Sequence, residues 1–310
     1  MSDQADGLRQ LVQARSGTAA LAEPPPLRKP PPHAHAKAKA KARSLLLTSG
    51  KGGVGTSNLA LNLAIALGEA GQRVVLVDAD LGLANIDLLC GLTPARDLGD
   101  VLAEGGSLLD AVIEGPGGIR ILPGAHGMRT LMDRLGDGLD RLAAELGALE
   151  AEADFLLVDA GSGLGSRIAT LAAAADEVVI VTTPEPTSVA DAHAAINRFR
   201  RLPGPPRLRV VVNQATSPAE ASDVLDRITA SSRQFLGTVV AAMGHVRADP
   251  RVPLSVRSRR PFVTAYPGSL AARSVRRLAR DLIEEHEPSG RRPGFFAALA
   301  ARWALSRVAR

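Results

Sequence analysis

The chain of 310 residues is short of several things at once. It holds one cysteine, Cys90, so no disulfide can close within the chain and a reducing compartment is expected. No apolar run approaches the roughly 18 residues of a membrane span, and the first residues lack the apolar stretch of a secretory signal, which together predict a cytoplasmic protein. Lysine is absent after residue 41 except at position 51, although residues 44–286 carry 23 arginines. That bias predicts an arginine at position 51, so an ammonium there marks a local chemical requirement.

What is present is an ordinary globular composition, 45% hydrophobic and 22% charged, which excludes a wholly disordered chain. The net charge of +5 is unevenly spread. Residues 1–43 carry 8 basic against 3 acidic side chains and residues 287–310 carry 5 against 1, while 44–286 carries 24 against 28. A mildly acidic body between two basic tails argues against a specific nucleic-acid-binding domain and for tails that meet anionic partners.

Four segments follow. Residues 1–15 fit a short amphipathic helix, with Ser2 placed as its cap and Ala5, Leu8, Leu11 and Val12 on one face. Residues 16–43 form a linker dense in proline and lysine. From 44 to 286, short apolar strands alternate with helical patterns. Strands are expected at Leu45–Thr48, Val74–Val77, Ile119–Leu122, Phe155–Val158, Val178–Val181, Leu208–Val212 and Leu236–Val240, with helices at Asn58–Ala70, Arg129–Leu149, Ser166–Ala174, Ser188–Arg201, Pro218–Ser232 and Ser269–His286. Continuous apolar strands with helices between them predict an α/β fold: a doubly wound, mostly parallel sheet covered on both faces. Residues 287–310 read as a second linker and a terminal helix.

The sharpest chemical signal is Ser49-Gly50-Lys51-Gly52-Gly53-Val54-Gly55-Thr56-Ser57, between the first strand and the first helix. Glycines let a backbone wrap an anion, so that its amides and the following helix N-terminus point at phosphates. Ser57 can offer a hydroxyl to Mg²⁺. Asp78 and Asp80 follow the second strand and Asp159 the fourth, at the carboxyl ends where such sheets bind ligands.

SGKGGVG, DADLGLANIDLLCGL at 78–92, the strand ending in Asp159 and VTTPEPTSVADAHAAI at 181–196 together resemble the MinD/ParA group of deviant-Walker ATPases, P-loop NTPases of the SIMIBI class. Within that group they are most like the flagellar-number ATPases FlhG and FleN. The resemblance covers about 44–283 and implies ATP and Mg²⁺ as cofactors. Gly50 to Ser57 would hold the phosphates, Ser57 and Asp159 the metal, and Asn213 and Asp249 the adenine. Asp80 would orient the attacking water, and Lys51 would reach the phosphates of the partner in an ATP-bound homodimer. A redox relative in the superfamily carries an iron–sulfur cluster, but that needs two cysteines per chain, and Cys90 stands alone.

One departure stands out: Thr56 occupies the position of the family's second loop lysine. An ammonium about 4 Å from a phosphate oxygen is worth roughly 4 kcal/mol at an effective dielectric near 20. Its loss predicts weaker ATP binding and especially weaker hydrolysis. Arg247, where the family has proline, is a candidate to lend charge.

The ends extend the resemblance. Asp3, Gln4, Leu8 and Arg9 match the activator helix with which FlhG-type proteins stimulate FlhF, a signal-recognition-type GTPase. At the other end Phe295, Phe296, Leu299 and Trp303 fall within a sector of roughly 100°. With Arg302 and Arg307 beside it, that stripe suits an anionic bilayer, or else docking on protein. The expectation is a flagellar-number regulator, cytoplasmic and peripheral on the inner membrane face, acting on an FlhF-type GTPase and on flagellar switch proteins or a transcription regulator. The alternatives are a non-hydrolysing scaffold with the same partners, favoured by Thr56, and a Min- or ParA-type positioning ATPase.

Overall fold

The computed structural model describes residues 41–80, 85–96, 101, 106–124, 139–285 and 293–308, all within one compact unit spanning 33–310. Eight strands form one sheet in the order β3-β4-β2-β5-β1-β6-β7-β8. They are β1 (Arg43–Ser49), β2 (Val74–Asp78), β3 (Ile113–Glu114), β4 (Arg120–Leu122), β5 (Phe155–Ser162), β6 (Glu177–Thr182), β7 (Arg207–Ala215) and β8 (Val240–Arg247). Every pairing is parallel except β3 with β4. β1 lies at the centre, flanked by β5 and β6.

Side chains alternate between the two faces, as the pleat requires. Leu46, Val75, Val77, Leu156, Val158 and Ile180 enter one buried cluster, and Leu45, Leu47, Leu76, Phe155, Leu157 and Val179 the other. The first face is covered by α3 (Leu139–Ala151), α4 (Ser166–Ala174), α5 (Pro186–Phe199) and α6 (Pro218–Leu236), joined by α10 (Phe295–Val308). The second is covered by α1 (Thr56–Glu69), α8 (Phe262–Ala265) and α9 (Leu270–Glu284). The short helices α2 (Ile86–Cys90) and α7 (Arg251–Arg257) sit beyond strand carboxyl ends. Each fully buried Leu, Ile or Val contributes about 1.5–3 kcal/mol, which is why a sheet apolar on both sides requires two helical layers.

One expectation is corrected here. The strand expected at Leu236–Val240 begins only at Val240, because Leu236 closes α6 and Gly237 turns out of the helix at φ 58°. The strand that follows, Val240–Arg247, was hidden by its small residues.

The terminal stripe, expected to suit an anionic bilayer or else to dock on protein, packs on the protein in this structure. Phe295, Phe296 and Leu299 are buried in the core, with Trp303 packed against it. The buried Glu150 carboxylate accepts from the amides of Phe295 at 2.7 Å and Phe296 at 3.2 Å, capping α10 against α3. A stripe spaced for lipid is equally spaced for a protein groove, and here it faces the protein. Among the described residues no helix is long and apolar enough to cross a membrane.

Candidate functional site

The loop Ser49–Ser57 leaves the end of β1 and enters α1 with Gly55 as its N-cap, at φ 88°. No side chain caps α1 and its first turn carries no acid, so the positive end of a 14-residue helix is open to an anion. Two glycines here are steric necessities. A Cβ on Gly50 would lie 2.6 Å from the carbonyl carbon of Asp191, so the loop backbone rests directly on α5. A Cβ on Gly55 would lie 2.6 Å from Asn213 Nδ2.

Thr56 is buried and donates its hydroxyl to Ser49 Oγ at 3.0 Å, while Ser49 Oγ donates to the Lys51 carbonyl at 2.8 Å. Lys51 turns to its own chain: its ammonium meets Glu185 Oε2 at 2.6 Å and Thr187 Oγ1 at 3.0 Å, at the start of α5. Glu185 is 67% exposed, so this pair is weakly held and can exchange for a phosphate.

Because β5 lies between β1 and β2, it brings the acids beside the loop, with Asp78 and Asp159 in register. Both are buried. Burial, with the Asp159 charge beside it, pushes the Asp78 carboxyl up to about 8, against amides donated by Ile86, Asp80 and Asn85. Burial likewise raises Asp159 to about 6. The Ser57 hydroxyl and the Gly161 amide pull that value down, and the Asp80 charge adds to the rise. Asp159 Oδ2 is buried with no hydrogen-bond partner, a costly arrangement unless something is meant to meet it. Asp80 packs its carboxylate against the Gly161 backbone.

A chamber of about 620 Å³ opens beside the loop, lined by Gly55, Asn58, Asn213, Gln214, Arg247 and Phe262 among others. Asn213 is in its wall. Its Nδ2 donates to the Val54 carbonyl at 2.7 Å and its Oδ1 accepts from Gln214 N at 3.0 Å, leaving one N–H and one lone pair for a ligand. Asp249 also lines the chamber, but its carboxylate is spent on the amides of Arg251, Leu270 and Ala271. Against the push of burial those amides hold it below the ordinary carboxylate range. Arg247 lies in the chamber wall, donating to the Thr216 carbonyl at 2.7 Å. Asp3, Gln4, Leu8 and Arg9 lie outside the described residues.

Sequence reasoning missed Gln214, Phe262 and the helix α7, whose Val252, Val256 and Arg257 face the chamber. The signal available was the short apolar spacing of Val252 and Val256 just after Asp249. Among the described residues no three His, Cys, Asp or Glu side chains are grouped to hold a metal. A hard cation here would therefore draw most of its ligands from phosphate and water, as Mg²⁺ does. Ser57 and the unpartnered Asp159 Oδ2 fit that cation, and the uncapped α1 with its glycine loop fits the phosphates.

Residues 45–261 match the family described as the CobQ/CobB/MinD/ParA nucleotide binding domain. The antiactivator FleN of Pseudomonas aeruginosa is 38% identical over 231 residues, 74% of this chain and 82% of FleN. The flagellum site-determining protein YlxH of Helicobacter pylori is 30% identical over 240 residues, 77% of this chain and 81% of YlxH. Among solved structures, septum site-determining protein MinD of Pyrococcus horikoshii, complexed with Mg-ADP, superposes with a TM-score of 0.62 at 28% identity, covering 78% of this chain and 96% of that one. On these matches, the phosphate-loop geometry and the parallel sheet, the chain belongs to the CobQ/CobB/MinD/ParA nucleotide-binding family.

Proposed function

We propose that this protein is an ATP- and Mg²⁺-binding regulator of flagellar number and placement, in the manner of FleN and YlxH. The observation that carries the nucleotide half is the loop Ser49–Ser57 running into an uncapped helix beside a buried carboxylate oxygen with no partner. Amides of Gly50 to Ser57 bind the phosphates, and the chamber takes the base against Asn213. Ser57 and Asp159 hold the metal, which when bound supplies charge neutralisation of the phosphate oxygens. Asp80 holds the attacking water in line. Lys51, released from Glu185, reaches the phosphates of a second copy in a face-to-face dimer.

The flagellar half rests on likeness to FleN and YlxH and on the residue pattern Asp3, Gln4, Leu8 and Arg9. Residues 1–15 engage an FlhF-type GTPase, 16–43 serve as a leash, 44–286 form the ATPase body and 287–310 a linker with a helix docked on it. A flagellar switch protein or transcription regulator is the downstream target. Titration calorimetry with ATP and Mg²⁺ tests the first half, and millimolar nucleotide without heat removes it. Pull-down of an FlhF-type GTPase by the full chain and by a chain lacking residues 2–15 tests the second, which fails if both bind alike.

One observation favours a non-hydrolysing scaffold as the second reading. Thr56 is not merely a missing lysine: its hydroxyl is stitched into the loop through Ser49. Measured ATP turnover at the level of an empty control, with binding intact, selects that reading.

A further inference from the structure

Arg247 ends β8, the last strand of the sheet, and stands in the wall of the chamber. The register beside it is broken. Val212 pairs with His245 and Ala215 with Arg247, so three steps along β7 answer two along β8. The extra residue makes a bulge, a device that re-aims side chains beside sites. It carries Asn213 and Gln214 out of the ladder, and both line the chamber. Gln214 sits at φ 60°, a left-handed conformation that residues other than glycine seldom adopt and that concentrates at ligand sites.

Arg247 is fixed at this rim. Its Nη2 donates to the Thr216 carbonyl at 2.7 Å and its amide to Ser274 Oγ at 3.3 Å. Neither bond goes to the phosphate loop; the residue that touches the loop is Asn213, through the Val54 carbonyl. Among the described residues the Arg247 guanidinium closes no ion pair. Its companions in the lining include Leu59, Val252, Val256 and Phe262, all apolar. A guanidinium is flat and weakly hydrated, and in such company it is suited to stack on a ring.

We propose that Arg247 lies against one face of the nucleotide base, with the apolar residues of α7 and α8 against the other. This rests on the reading of the chamber as the base site. Asn213 keeps one N–H and one lone pair, which match the adjacent acceptor and donor on an adenine edge. An edge contact alone leaves the ring ungripped above and below. Arg247, Val252, Val256 and Phe262 supply that grip. A residue lending charge to the phosphates would have to reach the loop, whereas Arg247 is tied to the strand end beyond Asn213. It adds affinity at the base end of a site whose phosphate end has Thr56 in place of an ammonium.

Titration calorimetry of the full chain with Mg²⁺ and ATP, ADP or inorganic tripolyphosphate tests this. Arg247→Ala is expected to lose about tenfold in affinity for ATP and for ADP alike, at low and at high salt. Tripolyphosphate should bind the variant as it binds the native chain. Arg247→Gln keeps a donor for the Thr216 carbonyl without the guanidinium, and should bind nucleotide as weakly as the alanine variant. If Arg247→Ala does not fold, Arg247→Gln carries the same expectation in its place.

A native chain that binds neither ATP nor ADP removes the base-site reading itself, and this inference with it. With native binding in place, three results overturn the inference alone. They are an Arg247→Ala chain that binds ATP like the native one, a loss shared by tripolyphosphate or severalfold larger for ATP than for ADP, and full recovery by Arg247→Gln.

Discussion

Thr56 donates its hydroxyl to Ser49 Oγ at 3.0 Å, so the two ends of the phosphate loop are joined by side chains as well as by backbone. A lysine at this position would extend an ammonium toward the ligand; the threonine instead turns back and tightens the loop. Thr56→Lys is expected to tighten ATP binding at least tenfold and to raise phosphate release, since one ammonium near a phosphate is worth up to roughly 4 kcal/mol. Calorimetry and a phosphate-release assay on both chains check this. Equal turnover by the two would show that the substitution is not what limits the native site.

Gly50 bears on the site through α5. Gly50→Ala places a methyl group against the Asp191 backbone, which cannot rotate away as a side chain could. The variant is expected to lose about 1–3 kcal/mol of stability and most of its nucleotide affinity. Thermal melts with and without nucleotide separate the two losses.

The two buried acids make stability depend on pH. Asp159 ionises in the fold only near about 6 and Asp78 only near about 8, whereas unfolded aspartates ionise near 3.8. Between those values the folded chain binds more protons than the unfolded one, so this contribution is fully present below about pH 3.8 and is lost progressively as pH rises from there to 8. Asp159→Asn should remove its share, on the order of 2–3 kcal/mol at pH 8, and make nucleotide affinity insensitive to Mg²⁺. Denaturant titrations across pH in metal-free buffer measure the first effect. A pH profile unchanged by the variant would contradict it.

Glu150 holds α10 in place. Glu150→Ala leaves the Phe295 and Phe296 amides without their acceptor and should cost about 1–3 kcal/mol. Trp303 emission should then shift to the red at temperatures where the native chain is unchanged, as the helix frays from the core. An unaltered spectrum through the melt would place the helix's anchorage elsewhere.

Much of the fold was readable because short apolar runs such as Leu45–Thr48 and Val178–Val181, alternating with helical patterns, fit buried parallel strands, and glycines followed by Thr56-Ser57 between strand and helix fit an anion-binding turn. Asp78 and Asp159 announced themselves as charges ending apolar strands. The destinations of side chains were less readable. Phe295, Phe296 and Leu299 have the same spacing whether they meet lipid or Leu146, and only the packing of α3 and α4 decides it. Asp249 is expected at the adenine because Gly244–Pro250 resembles the family's second base-binding loop. Its use as a cap for α9 depends on a contact twenty-one residues away that no local pattern encodes. The strand Val240–Arg247 escaped notice because alanines and a glycine carry little propensity, and its neighbour β7 supplies the order.

The absence of a side chain on Gly50 makes the phosphate loop and α5 abutting parts, and the Lys51–Glu185 pair fastens the same joint from outside. A rod of 14 residues, about 21 Å long, therefore begins at the loop. On its flank His193 touches Ser231 of α6 at 3.2 Å, beside a groove bordered by Asn197 and Phe235. Asp191, which meets the loop, and His193, which borders the groove, are two residues apart on this one helix, so the phosphate loop and the groove share a single rigid support.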